Sequence, residues 1–269
     1  MNEDTYLHDS FDDRTTFHSQ KPTKENNSET TYSITKVFGY MFMWLAITTV
    51  ITFGLAFLFN YLLGNATTDE SKSDIFVAII ATTIVSGLAV IIMSIVTHFV
   101  LFKGKHSIAV PASIYASLMG VMMGAFAGII TYFYENGWLL LGISFGITTL
   151  TFGLMTLIAL LSKSRLNALP IIGFGLLFGL LLMSGVMFII MIFFPSMYQW
   201  WYWVLTLGLL VVVMLTTIWD IRNVKTLAEN GALNKNISMY VAFNLYVDFI
   251  YILLRVLLIL LRLFGRGRN

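Results

Sequence analysis

Apolar residues run through this chain in seven long blocks, roughly 37–63, 75–102, 108–133, 138–161, 168–194, 200–220 and 240–264. A helix needs about 20 residues to cross a bilayer, and each block is long enough. The pattern predicts an all-α integral membrane protein with seven transmembrane helices. Several links are only four to six residues long, which forces neighbouring spans to run antiparallel. Three hairpins are therefore expected from the first six spans. The link from span six to span seven, about 20 residues, is the longest.

Ahead of the first block the chain reads "MNEDTYLHDSFDDRTTFHSQKPTKENNSETTYS", without the basic start and short apolar core of a signal peptide. Residues 1–35 carry seven acids against Arg14, Lys21 and Lys24, a balance of −4. Too polar to bury, this stretch is expected to be a disordered acidic cytoplasmic tail, with residues 36–269 forming the transmembrane domain. His8 and His18 lie in it without metal-ligand spacing.

Composition agrees with the pattern. The chain is 58% hydrophobic and 11% charged, with a mean hydropathy of +0.82. An average soluble domain carries about 25% charged residues. Cysteine is absent, which excludes disulfides, thiolate metal sites and a cysteine nucleophile.

Charge placement sets the orientation. The links after spans two, four and six carry Lys103, Lys105, Lys163, Arg165, Arg222, Lys225 and Lys235, whereas those after spans one, three and five carry only Lys72. Cytoplasmic loops are enriched in Lys and Arg, so the N-terminus is expected inside. Trp200, Trp201 and Trp203 then mark the outer interface, where amphipathic rings prefer to sit. A complete seventh crossing would leave Arg266 and Arg268 outside, against the same rule.

Span three contains "PASIYASLMGVMMGAFAG", in which Ala112, Ala116, Gly120, Gly124 and Gly128 recur every four residues. Such a stripe lets helix backbones approach closely in lipid, and packing inside the seven-helix body is its expected use. Zinc-protease, nucleophile-elbow, phosphate-loop and dinucleotide motifs are all missing, so no enzyme is expected. "GFGLLFG" at 173–179 lies within an apolar span and does not read as a phosphate loop.

Few ionisable groups occupy the spans: His98, Asp220, Asp248, Arg255 and Arg262. Arg262 is near a helix end and can snorkel. His98 fits a hydrogen-bonded structural histidine and a titrating one equally well. Asp220, in "LTTIWDIRNVK", taken alone reads as an interfacial acid. Asp248 is deeper, about 12 Å along its helix from Tyr240. A carboxylate there must be protonated, paired or facing water. Arg255 shares its face, but two turns away, about 10 Å, which is too far for a direct bond.

Should spans six and seven pack together, Asp220 and Asp248 come within hydrogen-bond reach. Two carboxylates in one low-dielectric site cannot both ionise cheaply, so the pair shares a proton. Protonated, such a pair joins the helices; ionised, it repels itself or captures a hard cation such as Ca²⁺.

"TTIWDIRNV" followed by "AFNLYVDFIYILLRVLLIL" resembles the two C-terminal signatures of the Bax inhibitor-1 family, also called the TMBIM family. "FGITTLTFGLMTLIALLSKSRLNAL" at 145–169 is similar to that family's fourth-span pattern, and the resemblance covers about residues 37–264. It implies six helices around a central C-terminal seventh, with a pH-dependent Ca²⁺ leak in bacterial members. Asp220 and Asp248 would match the family's pH sensor, closing the pore when a proton bridges them, and would be the transient calcium ligands. Span two lacks the arginine associated with that sensor, so His98 and Arg255 are the candidate charge partners.

The expected function is thus a pH-sensitive calcium leak channel of the bacterial cytoplasmic membrane, with no cofactor and with calcium as permeant ion. Its expected partners are the bilayer, calcium ions and protons, with no nucleic acid. The alternatives are a membrane interaction protein that modulates a membrane protease, with the acidic tail as docking element, and a proton-coupled small-solute transporter.

Overall fold

A computed structural model describes residues 24–103, 108–162 and 168–264. They form seven long helices: α1 (Lys24–Asn65), α2 (Asp69–Lys103), α3 (Ala109–Phe133), α4 (Gly137–Leu161), α5 (Ala168–Phe193), α6 (Tyr198–Glu229) and α7 (Lys235–Phe264). A single 3₁₀ turn, Pro195–Met197, leads into α6. By length and composition, α1 from Thr30, α2 to Thr97 and α3 to α6 are long and apolar enough to cross a membrane. α7, with Asp248, Arg255 and Arg262 along it, stands apart from those six.

Four boundaries differ from the sequence expectation by five residues or more, one being that of α2, which starts at Asp69 and not at 75. α1 begins at Lys24, inside the stretch expected to be disordered to residue 35. The described part of that extension has a reason to be helical. Ile34 and Val37 lie one turn apart and pack into the core, while Tyr32 carries the Lys36 ammonium over its ring at 4.2 Å. The other two corrections fall between α6 and α7. α6 runs on to Glu229 and α7 starts at Lys235, so the link is residues 230–234 and not 221–239. Hydropathy falls beyond Asp220, but Ile221, Val224 and Ala228 keep helical spacing and are buried.

That short link is built from two caps. Gly231 has φ +64°, and Ala232 N–H donates to the Leu227 carbonyl at 2.9 Å while Gly231 N–H donates to Ala228 at 3.1 Å. These two bonds close α6 in a Schellman arrangement, with glycine at the left-handed position. Asn234 then caps α7 by accepting from Ile237 N–H on its Oδ1 at 2.9 Å. The chain reverses within five residues, so the last turns of α6 lie beside the first turns of α7.

α7 occupies the middle of the bundle. It packs directly on α1, α4 and α6, and the Tyr115 ring of α3 meets its first half edge-on. Trp44, Tyr115, Phe243 and Tyr246 form one aromatic cluster joining α1, α3 and α7, with ring centroids 5.0–6.3 Å apart along its contacts. Phe145 and Phe152 of α4 meet Phe249 edge-on at 5.8 and 5.6 Å. α2 rests chiefly on α3, and α5 on α6, so those two helices form the flanks.

Of the expected hairpins the α5–α6 pair forms, whereas α1 and α2 both pack most extensively on α3. The small-residue stripe is responsible for the α1–α3 pairing. A Cβ on Gly120 would lie 2.9 Å from Ile51 Cβ and one on Gly124 would lie 2.8 Å from Leu55 Cβ, so the backbones are closer than side chains allow. Within this contact Thr48 donates to the Ala116 carbonyl at 2.9 Å and Thr52 to the Gly120 carbonyl at 3.2 Å.

Candidate functional site

Asp220 is placed by the last membrane-depth turns of α6, and Asp248 by the fourth turn of α7. Antiparallel packing behind the 230–234 link brings their side chains within hydrogen-bonding reach of one another. Asp248 Oδ2 is sealed from solvent and has no hydrogen-bond donor among the described residues. Two carboxylates have no proton to give each other, so this contact is favourable only when one of them is protonated.

A third side chain belongs to the site. Thr217 precedes Asp220 by one turn of α6, is fully buried, and has its hydroxyl beside the Asp248 carboxyl. Its Oγ1 also lies 2.7 Å from the Val213 carbonyl. Its single proton goes to that carbonyl, and Thr217 becomes a donor to Asp248 only if the proton turns away from Val213.

No cation neutralises the pair among the described residues. The only ion pair there is Lys225–Glu229, one turn apart at 3.9 Å. Lys225 also donates to the Leu160 carbonyl at 2.6 Å and ties α6 to the end of α4. Arg255, expected as a candidate charge partner, is not brought to the aspartates; it lies two turns further along α7, against α2 and α3. The side chain of His98, and residues Lys105, Lys163, Arg165, Arg266 and Arg268, lie outside the described residues, as does the tail to residue 23. Arg222, expected only as a loop charge, has a buried Nη1 with no acceptor among the described residues.

As a metal site the pair is sparse. No group of three or more His, Asp or Glu side chains converges among the described residues. Ca²⁺ takes about six to eight oxygens, so carbonyls and water would have to complete any shell here.

The opposite face of α7 is pinned. Tyr246 Oη lies 2.6 Å from Thr48 Oγ1. Because the Thr48 proton goes to the Ala116 carbonyl, Tyr246 is the donor in this bond. Beyond it, a cavity of about 50 Å³ opens between α1, α3, α4 and α7, bordered by Thr49, Thr52 and Ser144. That is room for a few water molecules. At the far end of α7, Arg262 stacks over Tyr202 at 4.3 Å and Trp203 at 5.4 Å. The tryptophan anchor is divided: Trp200 is 76% exposed, but Trp201 is only 6% exposed and packs inward.

The fold and the site define a polytopic α-helical membrane protein with a carboxyl pair enclosed between two of its helices. The chain belongs to the Bax inhibitor-1 family: the family model described as "Inhibitor of apoptosis-promoting Bax1" matches residues 30–266. No curated protein matches the sequence.

Proposed function

We propose that this chain is a pH-sensitive calcium leak channel of a bacterial cytoplasmic membrane, gated by a proton that Asp220 and Asp248 share. The observation that carries the reading is the meeting of these two carboxyl groups across the α6–α7 contact with no cation beside them among the described residues.

With one proton the pair is a hydrogen-bonded bridge, and α6 is held against α7. Loss of that proton leaves two like charges. At about 4 Å and an effective dielectric of about 20 they repel by about 4 kcal/mol. Such a force is relieved by parting the helices or by admitting a divalent cation, and both open a route past the aspartates. On ionisation the Thr217 hydroxyl can turn from the Val213 carbonyl to Asp248 and so favour the ionised state. The bond between Tyr246 and Thr48 holds α7 to α1, so the movement falls on the α6 side.

The test is calcium flux into proteoliposomes carrying a trapped indicator. Flux rises with pH in the wild type, and its pH dependence vanishes in Asp220→Asn and Asp248→Asn. A wild-type protein that passes no calcium at any pH overturns the proposal.

A further inference from the structure

Arg255 lacks any ion-pair or hydrogen-bond partner among the described residues, although it sits within the apolar length of α7. It lines a cleft of about 310 Å³ between α2, α3 and α7. Small-molecule sites begin at about this size, ~300 Å³. The other walls include Met122, Met123, Phe126, Leu254 and Leu258. Thr83 also borders the cleft, but its hydroxyl proton goes to the Ile79 carbonyl at 2.9 Å. Tyr251, on the rim, is 48% exposed, so the cleft opens to the outside of the bundle, where acyl chains lie.

The geometry points to this cleft as a binding site for a single-chain anionic amphiphile, a long-chain fatty acid, whose carboxylate pairs with Arg255 and whose chain lies along α3 and α7. Charge complementarity sets the sign: the cleft offers one guanidinium, with no carboxylate to oppose it. Arg–carboxylate contacts are frequently bidentate, and the guanidinium presents the fork they need.

Depth selects a fatty acid over a phospholipid. Arg262 stacks on the Tyr202 and Trp203 rings, and aromatic belts lie at headgroup level. Arg255 is seven residues deeper, about 10 Å along the helix. A diacyl phosphate would have to be drawn that far below its own plane. A fatty acid, which has no headgroup beyond its carboxylate, meets no such penalty.

The site is separate from the aspartate gate, and calcium flux has no part in its test. Tritiated palmitate is bound to the purified full chain in detergent, with unlabelled palmitate, methyl palmitate and phosphatidylglycerol as competitors. Binding is saturable, unlabelled palmitate displaces the label, and the other two do not. Arg255→Gln weakens binding on the order of tenfold, the loss of one charge-assisted contact. Leu258→Trp fills the cleft without touching the charge and weakens binding as well, so the site stays testable if Arg255→Gln fails to fold. Equal competition by methyl palmitate or by phosphatidylglycerol, or undiminished binding in Leu258→Trp or in a folded Arg255→Gln, overturns the inference.

Discussion

Tyr246 and Asp248 are two residues apart on α7 and face opposite sides of it. The tyrosine hydroxyl is bonded to Thr48 of α1 at 2.6 Å, while the carboxyl group meets Asp220 of α6. Residues two apart on a helix point about 200° apart, so one turn of α7 carries both a neutral anchor and a titratable contact. The gate proposed here depends on that division.

The titratable side is probed by Thr217→Val. This change keeps shape and burial but removes the Thr217 hydroxyl, which can turn to Asp248. The ionised pair loses support, so half-maximal calcium flux is expected to move to higher pH. Maximal flux is expected to be unchanged. Flux titrations of the two proteins in the same liposomes check this.

The anchoring side is probed by Thr48→Val. Tyr246 is fully buried, and the substitution leaves its hydroxyl without a partner. An unsatisfied buried donor costs about 1–3 kcal/mol. Tyr246→Phe removes the donor itself and should cost less, about 1 kcal/mol. Thermal unfolding in detergent gives the order: wild type above Tyr246→Phe above Thr48→Val. The pH dependence of flux should survive in both.

The aspartate contact was legible because the two residues sit on consecutive apolar blocks with opposite chain direction. Its closeness was harder to see, since hydropathy ended span six at residue 220 and hid the buried Ile221, Val224 and Ala228. A window that averages hydropathy loses a helix once it leaves lipid, even where its spacing continues. Thr217 could have been found, one turn from Asp220 on the same face. The bond between Thr48 and Tyr246 could not, because nothing local to either residue specifies a partner 198 residues away. Arg255 is a different case: its spacing already puts it too far from Asp248 for a direct bond. The charge partnership that the family resemblance suggested is not formed, since Arg255 lies against α2 and α3.

The α1–α3 contact is expected to be intolerant of one added methyl group. Gly124→Ala places a carbon 2.8 Å from Leu55 Cβ and 3.1 Å from the Thr52 carbonyl. Overpacking of this kind costs about 1–3 kcal/mol. Gly142 on α4 has nothing within 4 Å of the same position, and Gly142→Ala is expected to be neutral or to gain up to about 1 kcal/mol in helix propensity. Unfolding midpoints of the two variants should move in different directions.

The α6–α7 link holds the aspartates in register through its caps. Gly231→Ala forces a side chain into the left-handed region at φ +64°, at about 1 kcal/mol. Asn234→Ala removes the cap of α7, again at about 1 kcal/mol. Both variants should lower the unfolding midpoint, and a looser α6–α7 contact should raise calcium flux at acidic pH, where the proposed gate holds the wild type closed.

The central claim is a proton held between Asp220 and Asp248. Infrared difference spectroscopy of the protein in liposomes tests it most directly, through the carbonyl stretch of a protonated carboxyl group. The expected result is a carboxylic-acid band that disappears over the pH interval in which calcium flux appears, and that is lost at the same starting pH in Asp220→Asn and in Asp248→Asn. A wild type without the band at any pH where it is closed, or a band unchanged in both variants, contradicts the account.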